Sequence, residues 1–373
     1  MKILHFSDTH LGFQAFDRVN EAGVNAREQD VYDAFERVVD RILAIKPDIV
    51  LHSGDLFHRP SPSNRALTFA LEQLRRISKA NIPILIIAGN HETPKTIYNS
   101  PILRALRSID GVFPMFGENW EVEVFDNVAV HGVPHINDNR LLISELERLT
   151  QQPGKFNILM LHTSLGRRYL MEEYGEQVFP AEFEAKLAGF QYIALGHWHD
   201  CQSVNVHPCA WYSGSTERFS DTEIGAEKGF LLLDVAADNT CKVTFEAIAT
   251  RSWLKWERKQ CHEVSVGEME SELVFFIAQN KISDAIVSLN FMDIRPEQAL
   301  ELSNIRLRQL FTDSFQLIPK RKTFSDRAFV HDIEASQFDS LDQIFGDYLR
   351  SKYPDNEGLA KELVLRANRY FAA

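Results

Sequence analysis

The chain has 373 residues, a formal net charge of −12, and 45% hydrophobic and 11% aromatic residues. That length suggests roughly two to three domains, with enough apolar material for a sizeable core. No apolar run approaches the ~20 residues of a membrane-spanning helix, no secretory leader is read at the start, and so acidic a chain is a poor non-specific binder of nucleic acid. A nucleic-acid partner would therefore have to be held by local basic patches, metal ions or another subunit. The four cysteines (Cys201, Cys209, Cys241, Cys261) form no C-x-x-C pair and read as free thiols of a reducing cytoplasm.

In chain order, MKILHF reads as a strand, and REQDVYDAFERVVDRILAI places Val31, Phe35, Val38, Val39 and Ile42 on one helical face. PDIVLHSGD is a second buried strand. SNRALTFALEQLRRISKA is a helix with Ser63 as its N-cap, and IPILIIAGNH is a third strand. This β-α-β-α-β rhythm predicts parallel strands with helices on the faces. From about residue 112 short strands follow with no long helix between them: WEVEVFDNVAVHGVP, NILMLH, YIALGHWH, AWYSGS, GFLLLDV and CKVTFEAIAT. Two packed sheets with helices outside are expected. TRSWLKWERKQ reads as a charged connector, followed by a small α/β unit with a helix near 267–280, a strand in DAIVSLNFMDI and a helix in PEQALELSNIRLRQLF. The tail reads as two helices broken by PDNEG. Leu341, Ile344, Phe345, Tyr348 and Leu349 share one face, and Leu359, Leu363, Ala367 and Tyr370 share another.

Five of the apolar runs end in metal-binding side chains: Asp8 and His10, Asp55, Asn90 with His91 beside it, His162, and His197 with His199. In α/β sheets the loops beyond the strand carboxyl ends converge on one crevice. Two carboxylates, one amide oxygen and four imidazoles suit manganese, iron or zinc better than calcium. The set suffices for two ions if Asp55 bridges them, with Asp8, His10, Asp55 and His199 on one and Asp55, Asn90, His162 and His197 on the other. Such a pair can activate water and clamp the oxygens of an in-line phosphoryl displacement. The remaining histidines (His5, His52, His131, His135, His207, His262 and His331) read as structural or surface residues.

The segments SDTHLG, GDLFH, GNHE, LHTS and GHWH resemble the five signatures of the calcineurin-like metallophosphoesterases. The resemblance implies a four-layer αββα sandwich with a dinuclear site. A finer resemblance, to DNA-repair nucleases of the SbcD type, includes GDLFHR and SGSTERFSDTEIGAEKGFLLLDV. It implies a phosphoesterase domain over 1–255, a small α/β capping domain facing DNA over 256–335, and over 336–373 a helix-loop-helix that grips an SMC-like ATPase of the SbcC type. It also implies manganese-dependent 3′-to-5′ exonuclease and endonuclease activity in the cytoplasm. His91 would protonate the departing 3′ oxygen or orient phosphate, and His58 would steer substrate or support a ligand. A homodimer and no membrane contact are expected. Arg167 and Arg168, and Lys320, Arg321 and Lys322, are the local basic candidates. A small-substrate phosphomonoesterase or phosphodiesterase on the same site, and a DNA-end-binding scaffold acting through its ATPase partner, stay open as alternatives.

Overall fold

The computed structural model describes residues 1–96, 100–166 and 177–324. The expected tail helices, His331, Arg167 and Arg168 lie outside the described residues. In chain order the body contains β1 (Lys2–Phe6), α1 (Ala26–Ile45), β2 (Ile49–His52), α2 (Asn64–Lys79), β3 (Ile84–Ile87), β4 (Val112–Met115), β5 (Glu121–Val124), β6 (Val128–Val133), α3 (Asn139–Arg148), β7 (Phe156–His162), α4 (Glu184–Leu187), β8 (Tyr192–Gly196), β9 (Gln202–Ser203), β10 (Ala210–Tyr212), β11 (Gly229–Val235) and β12 (Cys241–Ala247). One sheet has the order β12-β11-β1-β2-β3-β4 and the other β5-β6-β7-β8-β10-β9. The central strands are parallel in both. Antiparallel strands stand at both edges of the second sheet and at the β11–β12 side of the first, whose other edge, β4, is parallel to β3.

Strand periodicity builds four layers. In β1 and β2, Ile3, Ile49 and Leu51 face the second sheet, whereas Leu4, Phe6 and Val50 face α1 and α2. In β7 and β8, Phe156, Ile158, Met160, Tyr192 and Ala194 fill the seam between the sheets, while Leu159, Leu161, Ile193 and Leu195 pack under α3 and α4. This is the αββα sandwich that the motifs imply. Both long helices start on side-chain caps. Asn25 accepts from the amides of Arg27 and Glu28, and Ser63 accepts from that of Ala66. Registers align Phe6 with His52 and His162 with Gly196, so the loops beyond these strands emerge at one level.

The stretch expected to be a charged connector is instead a strand. β13 (Trp253–Arg258) crosses the expected 255/256 boundary and pairs in parallel with β14 (Ile286–Ile294), which pairs with β15 (Gln316–Thr323). Its charged residues conceal it, but Trp253 and Trp256 are buried. α5 (Val266–Gln279), α6 (Pro296–Glu301) and α7 (Asn304–Leu310) pack on this third sheet, whose core includes Met269, Leu273, Leu289, Phe291 and Leu307. The single helix expected over 296–311 is two, because Ser303 restarts the chain by capping the Arg306 amide.

Candidate metal centre

The loops that deliver the ligands are strained and locked together. Asp8, His10, Asp55 and His197 all have positive φ, between 51° and 96°. Non-glycine residues there cost on the order of 1–3 kcal/mol each and persist only where the surroundings over-determine them. The over-determination comes from the neighbouring loop. The Asp8 amide donates to the Gly54 carbonyl at 3.0 Å, His10 to Asp55 at 2.9 Å and Leu11 to Leu56 at 2.8 Å. Two glycines are explained by close approach. A Cβ on Gly89 would lie 2.2 Å from Asp55 Oδ1, and one on Gly54 would lie 2.3 Å from His162 Nδ1. The GD and GN pairs are therefore packing requirements of the ligands themselves.

All seven predicted ligands meet at one end of the seam. Asp55 Oδ2 stands between the two sets, 3.8 Å from His10 Nε2 and 3.2 Å from His162 Nε2. His10 Nε2 and His199 Nε2 are 3.2 Å apart. Asn90 Oδ1 lies 3.0 Å from His162 Nε2 and 3.3 Å from His197 Nδ1. Asp8 is close to both sets, grouping with His10 and His199 and also with Asp55 and His162. Its carboxylate accepts the His197 amide, at 3.0 Å and 3.1 Å on its two oxygens, and the Ser7 hydroxyl. Burial opposes charge on both Asp55 and His162. Their mutual attraction nevertheless holds the Asp55 carboxyl well below its usual range and lifts the imidazole to about 10. A divalent cation would take the place of that proton.

The imidazoles are aimed by their other nitrogens. His162 donates Nδ1–H to the Ser53 carbonyl at 2.8 Å, and His199 donates Nδ1–H to Glu223 at 3.1 Å. His10 Nδ1 faces His58 Nδ1 at 3.4 Å. Each leaves Nε2 pointing inward, the arrangement that orients imidazole ligands in metal sites. Converging oxygen and imidazole donors, with their outer partners already in place, fit a pair of divalent ions.

The calcineurin-like phosphoesterase family matches residues 1–201 of the chain, the span that carries all seven of these side chains. The chain belongs to that family. Among curated proteins, the phosphoesterase is similar to the DNA double-strand break repair protein Mre11 of Methanococcus maripaludis, at 32% identity over 253 residues, covering 64% of each chain. Mre11 of Saccharolobus solfataricus is 35% identical over 202 residues, 53% of this chain and 49% of that one. Mre11 of Methanosarcina mazei is 23% identical over 377 residues, 98% of this chain and 57% of that one. The phosphoesterase thus spans less than two thirds of the length of the curated relatives it matches.

The two auxiliary histidines also reach the centre. The His91 ring lies 4.6 Å from that of His10 and stacks on His58 at 5.1 Å, and its Nδ1–H donates to the His58 carbonyl at 3.0 Å. Burial, and then the charges of His91 and Arg59, push His58 down to about 4, so it stays neutral and can accept from His10. Of the basic candidates, Lys320 pairs with Asp221, while Arg321 donates to Asn304 Oδ1 at 2.9 Å and to the Leu302 carbonyl at 2.7 Å. Both are engaged within the protein.

Sequence reasoning missed the support behind His199. Glu223 accepts from His199 and, at 2.5 Å, from the fully buried Lys228, which also donates to the His199 carbonyl at 2.9 Å. Burial disfavours its charge, but His199 and Lys228 hold the Glu223 carboxyl at about 2. Phe219 forms a wall, 4.8 Å from the His10 ring and 5.2 Å from the His199 ring. All three lie in the quoted SGSTERFSDTEIGAEKGF segment, which carried no role because none of its spacings is metal-like.

Proposed function

We propose that this phosphoesterase is a manganese-dependent DNA nuclease that hydrolyses phosphodiester bonds at DNA ends, both as exonuclease and as endonuclease, within a complex with an SMC-like ATPase of the SbcC type. The observation that carries the reading is Asp55 Oδ2 set between two donor groups at 3.8 Å and 3.2 Å. Relatives named for double-strand break repair support the choice of DNA as substrate. In this reading Asp8, His10, Asp55 and His199 hold one ion, and Asp55, Asn90, His162 and His197 the other. Bound there, divalent ions would supply an activated water and charge stabilisation at phosphorus.

The chain's own residues do the rest. His91, braced by its Nδ1–H on the His58 carbonyl, would as the imidazolium carry a second proton on Nε2 to give to the departing 3′ oxygen. A positioned acid is worth about 10²–10⁴-fold where the leaving group is a poor alkoxide. His58 supports His10 rather than touching substrate. The C-terminal α/β unit caps the site against DNA, residues 336–373 dock the ATPase, and the working form is a homodimer in the cytoplasm. With a net charge of −12, much of the DNA grip falls to the partner.

The test is to load the chain with manganese and offer labelled single-stranded, duplex and hairpin DNA alongside bis-nitrophenyl phosphate. Metal-dependent DNA cleavage is expected. Ester turnover with intact DNA would favour a small-substrate phosphodiesterase, and DNA binding with neither activity would favour a scaffold. His91→Asn should keep both ions and lose about 10²–10⁴-fold on DNA. The loss should shrink on nitrophenyl esters, whose acidic leaving group needs little help, whereas equal loss on both substrates would assign His91 to phosphate positioning.

A further inference from the structure

Between β12 and β13 the chain passes from the body to the C-terminal unit, and one side chain of that passage is engaged on both sides. Arg251 donates Nε–H and Nη2–H to the two carboxylate oxygens of Asp30 on α1, each at 2.7 Å. Its third nitrogen donates to the Asp284 carbonyl at 2.9 Å and pairs with the Asp284 carboxylate at 2.6 Å, at the start of β14's approach. The guanidinium also lies over the Phe315 ring, 3.9 Å from its centre. Asp30 in turn receives Arg27 at 2.5 Å, and Arg27 is an almost fully buried cation. Arg27 donates onward to the Arg218 carbonyl and lies 3.6 Å from Glu217. Arg218 returns to the passage, donating to Thr250 Oγ1 at 2.5 Å and to the Arg251 carbonyl at 3.3 Å. Next in sequence stands Phe219, the wall against His10 and His199.

The apolar part of this seam is small. Trp253, Ile286 and Phe315 form its buried core, with Phe16 and Ile224 packed against it from the loops beside His10 and Glu223. Apolar contact is non-directional and permits sliding. A fork on a carboxylate fixes both distance and angle. Directional contacts across the joint include the Lys320–Asp221 pair at β15 and the fork of Arg251 on Asp30. Of these the fork is the one that constrains both distance and angle at the passage beside the metal centre. The joint also borders a cleft of about 460 Å³, lined by Asp33, Arg37 and Lys281 among others, so it is not buttressed on all sides by packing.

We propose that Arg251 is a positioning residue, whose two-pronged grip on Asp30 holds the C-terminal unit over the metal centre at the setting that a polymeric substrate requires. Arg27 holds segment 217–219 through the Arg218 carbonyl and Glu217, and Arg218 reaches the passage through the Arg251 carbonyl and Thr250, contacts that do not use the Arg251 side chain. On this proposal a small phosphodiester needs only the candidate metal ligands, whereas a duplex would also meet the unit. The substrate arm of this proposal rests on the nuclease reading above, and the structural arm does not.

The experiment uses the full chain with manganese bound and the variants Arg251→Lys and Arg251→Ala. Amide hydrogen exchange reads the joint, calorimetric titration reads manganese, and duplex cleavage is compared with bis-nitrophenyl phosphate turnover. Arg251→Ala is expected to speed exchange across residues 16–26, which lie under the unit, while β14 and residues 217–220 exchange as before. Duplex cleavage should fall about tenfold or more, a change corresponding to one decade in rate. Ester turnover and manganese affinity should stay within about twofold. Arg251→Lys, which keeps the charge and loses the fork, should lie between. Unchanged exchange over 16–26 overturns the proposal, and does so even if the wild-type chain cleaves no DNA and the nuclease reading itself fails. Faster exchange in β14 also overturns it, since Arg251 would then serve the unit's fold. Equal loss on both substrates would place its effect in the metal centre and would likewise overturn it.

Discussion

In the body, β1, β2, β3, β7 and β8 run into Asp8, Asp55, Asn90, His162 and His197 within a few residues of their ends. In the C-terminal unit, β13, β14 and β15 run into Lys259, Arg295 and Phe324. Both regions are built on parallel strands, so both send their loops toward one end. Among the described residues, the C-terminal unit places His262, stacked on Phe324, and Glu263 near that end, but groups of three or more converging carboxylate and imidazole donors are found only in the body. A lysine, an arginine and a phenylalanine offer no lone pair to a divalent ion. Positive φ alone does not separate the regions, since Gln260, Asp284 and Asp293 adopt it in the C-terminal unit as four candidate ligand residues do in the body. In the body the neighbouring loops are interlocked by the Asp8, His10 and Leu11 amides on the carbonyls of Gly54, Asp55 and Leu56. Parallel architecture thus supplies a place where chemistry can gather, and the residues at the strand ends decide whether it does.

The largest effect should come from the residue shared by both donor groups. Asp55→Asn keeps the left-handed backbone, which asparagine tolerates, but turns a charged oxygen into an amide. Phosphodiester hydrolysis should fall on the order of 10³-fold or more, and elemental analysis should find fewer than two ions per chain. Two ions with undiminished turnover would break the contrast between the regions at its centre.

A smaller effect should follow from the outer partner that the motifs did not reveal. Glu223→Gln leaves the shape of the His199 contact and removes its charge. Manganese affinity by calorimetry should weaken about 10–100-fold, and Asp55→Asn combined with Glu223→Gln should add little further loss of turnover. Unchanged affinity would reduce Glu223 to a packing role beside Lys228.

The smallest effect on chemistry should come from the other region's core. Leu289→Ala on the buried central strand β14 should destabilise the C-terminal unit by about 2–5 kcal/mol, visible as an earlier transition in calorimetry. Metal stoichiometry and ester turnover should not move. Loss of bound metal in this variant would show that the two regions are not separable in the way their strand ends suggest.

The alternating and helical spacing of apolar residues determined, by itself, most of the body. Val31, Phe35, Val38, Val39 and Ile42 are all buried on α1, Ser63 caps α2, and the strands from MKILHF to CKVTFEAIAT are found where the pattern places them. Burial is periodic when one face of an element is covered, so the pattern is written into the chain. The seven donors were legible for a related reason: each follows an apolar strand, and strand ends of a parallel sheet share a crevice. β13 was not legible, because its charged residues break the alternation and its burial depends on β14, more than 25 residues away. α3 escaped because its apolar face rests on only a few residues, Leu142 and Leu146 among them. Glu223, Lys228 and Phe219 could not be read from spacing at all. Their roles come from which neighbour each touches after the chain has closed on itself, as does the bond between Arg251 and Asp30, two residues separated by most of the body and joined only by the fold.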